Sequence, residues 1–201
     1  GRPAGVDLRR KTDATALVEE AMILANETVA AHLRDAGSPG LFRVHARPAA
    51  DGLAALVEVF EEFPWFSDID AHAFAVGEAH ALQQALAASA GRPEGELVSS
   101  LLLRSMKRAV YRPECGPHYG LASAAYTHFT SPIRRYPDLV AHRMLKALIG
   151  GRPARFDEEV AALPWVAEHS SKMERVAERA ARESQEMKIV EYLEGFVGQA
   201  F

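Results

Sequence analysis

Cysteine is nearly absent: Cys115 is the only one in 201 residues, so no internal disulfide can form and the even-numbered framework of a small secreted domain is excluded. That usage predicts a reducing, cytoplasmic compartment. Long apolar runs are missing too. None approaches the ~18 residues of a membrane-spanning helix, and the opening GRPAGVDLRRKTD has no apolar signal-peptide core, so no membrane partner is expected. The chain also lacks a Gly-rich phosphate loop, a nucleophile elbow, paired CxxC motifs and HExxH, which removes the enzyme classes that rest on them. It has no initiator Met and no polar tail after Val197-Gly198-Gln199-Ala200-Phe201, so both ends are expected to be cut points in a longer polypeptide.

The composition, 48% hydrophobic and 25% charged, is that of a globular protein able to bury a core without metal or disulfide. Charge is unevenly placed. The net charge is -4, yet residues 100–155 carry 10 basic side chains against 2 acidic ones, while residues 49–99 carry 1 against 9. The basic stretch predicts an anionic partner, and the basic residues are mostly Arg, whose planar fork suits phosphate. A solvated basic face paired with the acidic regions is the simpler reading of charge alone.

Hydrophobic spacing predicts an α+β, helix-dominated chain. A helix follows the Thr12-Asp13 cap and runs over 14–34, a strand is expected over 41–45, and Asp51 caps a helix reaching about Phe63. Residues 63–70 read as a loop, 71–90 as one Ala-rich helix, and 94–110 as another. The segment from His118 to Ser131 has no helical period, and its aromatic and Thr content predicts one or two short strands. Pro132 or Pro137 opens the next helix, which ends at Gly150-Gly151. A last helix begins near Asp157, is interrupted around Pro164 and resumes to about Gly195, its Glu178/Arg182 and Arg179/Glu183 spacings giving solvated surface pairs.

Few residues offer chemistry. Asp68, Asp70 and His72 could ligate a metal, although Asp70 is also a natural N-cap. Cys115 lies near His118 but between prolines, a poor setting for a nucleophile. The unusual string runs from His118-Tyr119-Gly120-Leu121 through Tyr126-Thr127-His128-Phe129-Thr130-Ser131-Pro132-Ile133-Arg134-Arg135-Tyr136-Pro137-Asp138 to His142. It places two guanidiniums at a helix N-terminus behind the hydroxyls of Thr130 and Ser131, an arrangement suited to anions. Tyr119, Tyr126, Phe129 and Tyr136 offer rings on which bases of single-stranded nucleic acid could stack. In the plainer reading these rings are core and Arg134 pairs with Asp138 at i,i+4.

This string resembles the signature of the RNase II/RNase R family of RNB-domain exoribonucleases, and segments 19–27, 41–45, 102–111 and the Glu174-Arg175 helix resemble family segments in family order. The resemblance implies part of an RNB catalytic domain: a magnesium-dependent enzyme that processively degrades single-stranded RNA from its 3' end and releases nucleoside 5'-monophosphates. It implies contact of Arg134 with the phosphate beside the scissile bond, with Arg135, Thr130, Ser131 and Tyr126 as weaker substrate-binding candidates. The family's metal site is an aspartate cluster resembling Asp-x-Asp-Asp-Ala, and no such run occurs here. The chain is therefore expected to be the later half of the catalytic domain, without metal ligands, without flanking RNA-binding barrels, inactive alone and partnered by the rest of its own polypeptide. The alternative is a non-catalytic RNA-binding or scaffold protein derived from that domain.

Overall fold

The computed structural model describes residues 3, 5–7, 11–152 and 155–199. Its elements are α1 (Asp13–Asp35), β1 (Phe42–Val44), α2 (Ala50–Phe60), α3 (Ala71–Ala75), α4 (Ala79–Ser89), α5 (Gly95–Ser105), β2 (Val110–Arg112), α6 (Tyr136–Gly150) and α7 (Phe156–Leu193). Turns of 3-10 helix occupy Pro64–Asp68, Tyr119–Leu121 and Glu194–Phe196. β1 and β2 form a two-stranded sheet, so the helix-dominated α+β expectation holds. No helix among the described residues is long and apolar enough to cross a membrane.

The chain divides into two compact units: Gly1–Leu41 with Tyr111–Pro113 and Thr127–Phe201, and Phe42–Val110 with Glu114–Tyr126. The second unit is built on aromatic packing. Phe60, fully buried, has the rings of Trp65, Phe66 and Phe74 within 6.0 Å. Residues 63–70, expected to be a loop, thus supply the middle of the core. Pro64 sits at the start of the 3-10 turn, where its fixed φ suits the geometry, and the indole N–H of Trp65 finds the Glu94 carboxylate at 2.9 Å.

The Ala-rich stretch 71–90 is two helices, not one. α3 ends in a Schellman pattern, with Glu78 N–H donating to Ala73 O and Gly77 N–H to Phe74 O, both at 2.9 Å. Gly77 has φ +74, and a Cβ there would lie 3.3 Å from Leu53 Cδ1, so backbone freedom and close packing both favour glycine. Composition hid this break because Ala is favourable on either side of it. α5 likewise stops at Ser105 rather than 110, since Val110 enters β2.

In the first unit, Thr12 caps α1 with a reciprocal bond to Thr15, as the cap signal predicts. α7 runs unbroken through Pro164, against the expected interruption. Leu163, Val166 and Ala167 around the proline are buried, and that burial offsets the hydrogen bond that proline cannot donate. Beyond Ser171 α7 buries nothing further: Val176, Met187 and Val190 are all more than half exposed.

The strands expected between His118 and Ser131 are absent. Tyr119–Leu121 is a 3-10 turn beside isolated bridges from His118 to His45 and Ser123, and single bonds hold the rest instead of a ladder: Thr127 Oγ1 donates to Leu41 O, and Phe129 N–H to the buried Asn26 side chain at 3.0 Å. Phe60→Ala should destabilise the second unit by about 3–5 kcal/mol. Chemical denaturation followed by near-UV circular dichroism would measure the loss.

Candidate functional site

The turn from Ser131 to Arg135 is folded by one carboxylate. Ser131 O accepts from the N–H groups of Arg134 (3.3 Å) and Arg135 (3.1 Å), while Ser131 N–H donates to Asp138 Oδ1 at 2.8 Å. Asp138 has no exposed surface, and the Arg135 guanidinium meets both its oxygens at 2.8 Å. The expected i,i+4 pairing of Arg134 with Asp138 does not form. Arg135 is the N-cap of α6, with extended backbone, and that geometry turns its side chain back onto the carboxylate three residues ahead. Arg134 is left exposed, in no ion pair among the described residues.

Arg134 and Arg135 line a groove of about 810 Å³ with Tyr136 and one face of α7. That face presents Trp165, His169, Met173, Ala177 and Ala181, spaced four apart, flanked by Glu174 and Glu178. The lining thus combines apolar side chains with both arginines and both glutamates. Tyr136 is half exposed and Trp165 is 65% exposed, its indole stacked on the His169 imidazole at 4.8 Å between centroids and 10° between planes.

The other aromatics expected to stack bases do not line this groove. Tyr126, 6% exposed, packs 5.3 Å from the His118 ring in the second unit and has no free face. Tyr119 lies in that unit too, its hydroxyl donating to Gly77 O at 2.9 Å. Phe129 stacks on His142 at 3.9 Å, with His142 Nε2 bonded to the Phe129 carbonyl. Thr130 and Ser131 are half-buried beside the turn without lining the groove. Sequence reasoning missed Trp165 and His169. The signal available was their i,i+4 spacing, which continues to Met173.

The Asp68–His72 candidate resolves as a cap: Asp70 accepts from Ala73 N–H at 2.9 Å. No group of three or more His, Cys, Asp or Glu among the described residues could hold a metal ion. The divalent metal implied by the resemblance needs clustered oxygen donors, so these residues do not fit it.

A histidine pair occupies the second unit. His45 Nδ1 accepts from Gly120 N–H at 3.1 Å, which places the ring proton on Nε2, and the His118 ring stands edge-on 5.0 Å away. Burial first, then electrostatic proximity to His45 and Arg43, pushes the His118 pKa down to about 4. Burial also raises the pKa of Tyr119, against the opposing charge of Arg47.

Residues 1–151 match the RNB domain family. The chain is 37% identical over 206 residues to ribonuclease R of Aquifex aeolicus, covering 100% of this chain and 28% of that protein. Among solved structures it is similar to Mycoplasma genitalium RNase R in complex with ribose-methylated single-stranded RNA (TM-score 0.85, 27% identity, 98% of this chain and 31% of that one). It is also similar to yeast Ssd1, described as a pseudonuclease (TM-score 0.62, 28% identity, 80% and 20%). The chain spans less than a third of the length of each.

Two outcomes follow from this geometry. Asp138→Ala should cost about 3–5 kcal/mol, because it strands the Arg135 guanidinium and the Ser131 N–H; urea titration would read it. His118 is held below its ordinary value, so folding favours its neutral form. The resulting stability is present above about pH 6.5 and is lost as pH falls toward 4. Melting temperatures across that window should fall less steeply in His118→Phe than in the parent chain.

Proposed function

The chain belongs to the RNB-domain family, and from that premise we propose that it is the RNA-contacting later part of the catalytic domain of a processive 3'-to-5' exoribonuclease. In this reading the complete enzyme hydrolyses single-stranded RNA to nucleoside 5'-monophosphates in the cytoplasm. Magnesium is its proposed cofactor, with ligands outside the residues described. The remainder of the same polypeptide is the proposed protein partner.

The observation that carries the reading is the division of labour between adjacent arginines. Arg135 is consumed by Asp138, while Arg134 stands exposed on an 810 Å³ groove without a counter-ion among the described residues. A free guanidinium offers parallel N–H donors to the non-bridging oxygens of a phosphodiester. Charge developing on those oxygens during phosphoryl transfer strengthens that contact, so the group assists the reaction as well as binding. Arg135 is a positioning residue: its ion pair holds the turn that aims its neighbour. Ser131 supports that turn through its carbonyl and its N–H, and Thr130 precedes it as a weaker substrate-binding candidate.

A second reading is a non-catalytic RNA-binding protein, favoured by the similarity to a pseudonuclease and by the lack of a metal-holding cluster among the described residues. A time course on 5'-labelled single-stranded RNA, with magnesium or EDTA, separates the two when the missing part of an RNB catalytic domain is supplied in trans. Restored shortening from the 3' end supports the enzyme; retention without shortening supports the binding protein.

In a complete enzyme Arg134→Ala should lower turnover by about 10²–10³-fold. Arg152→Ala, which removes an exposed partner of Asp157, should stay near the parent rate. RNA retention by the chain should fall steeply with salt, and Arg134→Ala should reduce the slope of log affinity against log salt by about one. Equal effects of the two substitutions would reject the assignment of Arg134.

A further inference from the structure

The two tryptophans have opposite surroundings. Trp65 is buried and hydrogen-bonded to Glu94, as a tryptophan in a core should be. Trp165 is 65% exposed in the groove lined by Arg134. Its orientation is nevertheless constrained, because His169, one helical turn on, stacks beneath it at 4.8 Å with the planes 10° apart. Rotating the indole would forfeit that overlap, so one face is braced while the ring as a whole stays largely exposed and lines the groove. A large flat apolar surface left in water beside a cation unpaired among the described residues is complementary to a ligand combining a planar ring with a phosphate.

We propose that Trp165, braced by His169, is a base-stacking platform that gives this groove a preference for purines in a bound single strand. This rests on the RNA reading above and extends it from phosphate contact to base selection. Stacking tolerates any base but strengthens with ring overlap, and the fused rings of a purine cover more of an indole than a pyrimidine does. Arg134 cannot supply such a preference, since phosphate is common to all nucleotides. His169 acts through Trp165 and is a positioning residue.

The test uses the whole chain at low salt, with a short oligouridine and a strand of equal length alternating uridine and adenosine. Indole fluorescence and filter retention are recorded together. The buried Trp65 supplies a constant background, so the expected signal is quenching of Trp165 as the strand binds, with the adenosine-containing strand held more tightly. Trp165→Ala should abolish the quenching, weaken binding by roughly 5–150-fold and bring the two strands within about twofold of each other. Trp165→Phe should keep part of the preference, and His169→Ala should erode it while leaving the response to salt unchanged. Salt-sensitive retention with no change in Trp165 fluorescence, or Trp165→Ala with affinity and preference intact, would overturn the platform and leave the RNA reading standing. No retention at any salt would overturn both.

Discussion

A carboxylate with no exposed surface organises the turn that presents both arginines. Asp138 is a costly group to bury: an uncompensated charge in the interior loses several kcal/mol of hydration. It is tolerated because Oδ1 accepts from both the Arg135 guanidinium and the Ser131 amide, and Oδ2 lies against the same guanidinium as an ion pair, each at 2.8 Å. The consequence is directional. The chain must reverse at Pro132–Arg134 so that Ser131 and Arg135 can reach one acid on the first turn of α6, and the residues left at the outside of that reversal are Ile133 and Arg134. The exposure of Arg134 is therefore imposed by its neighbour's pairing. Weakening the acid would free Arg135 to compete for the same anion and loosen the turn that separates the two guanidiniums.

The segregation of charge along the sequence gains meaning from this arrangement. Residues 100–155 are strongly basic, yet the structure uses their arginines differently. Arg143 is paired with Glu159 and Arg152 with Asp157, which is the neutralised surface that charge counting alone favours. Arg134 departs from that pattern. Net charge over a window cannot reveal this, because the deciding variable is the geometry of one N-cap and not the number of acids nearby.

Helices were legible wherever period and cap agreed. Thr12 marks α1, Gly150-Gly151 ends α6, and the alternating residues at 41–45 contain β1. Errors arose where tertiary packing overrode a local signal. Pro64, Trp65 and Phe66 resemble a loop until the surrounding rings supply a core for them, and Pro164 resembles a break until the buried residues on either side hold the helix together. The stretch ending at Ser131 lacks a helical period, as expected, but the partner of its Phe129 amide lies 103 residues away at Asn26, and no local pattern encodes such a bond. The arginines of the site were equally legible, as a motif. The opposite wall was not: α7 repeats apolar residues every three to four positions along its length, and nothing in that repeat distinguishes the stretch that packs inward from the stretch that lines a groove.

The distribution of aromatic rings supports one further step. Tyr126 and Phe129 lie inside the motif, where a sequence reading looks for stacking surfaces, but both are engaged by histidines, at 5.3 Å and 3.9 Å respectively. Those contacts stiffen the segment that leads into the Arg134 turn. The exposed rings, Tyr136 and Trp165, stand at the beginning of α6 and on the first half of α7, where helical backbone fixes their Cα positions more firmly than a loop would. Rigid elements thus hold the open aromatic faces, while the irregular segment is stabilised by its own buried rings and by Asp138. A groove built in this way loses little conformational entropy at its aromatic faces when a strand enters, because helical backbone already fixes where those rings start and His169 braces Trp165.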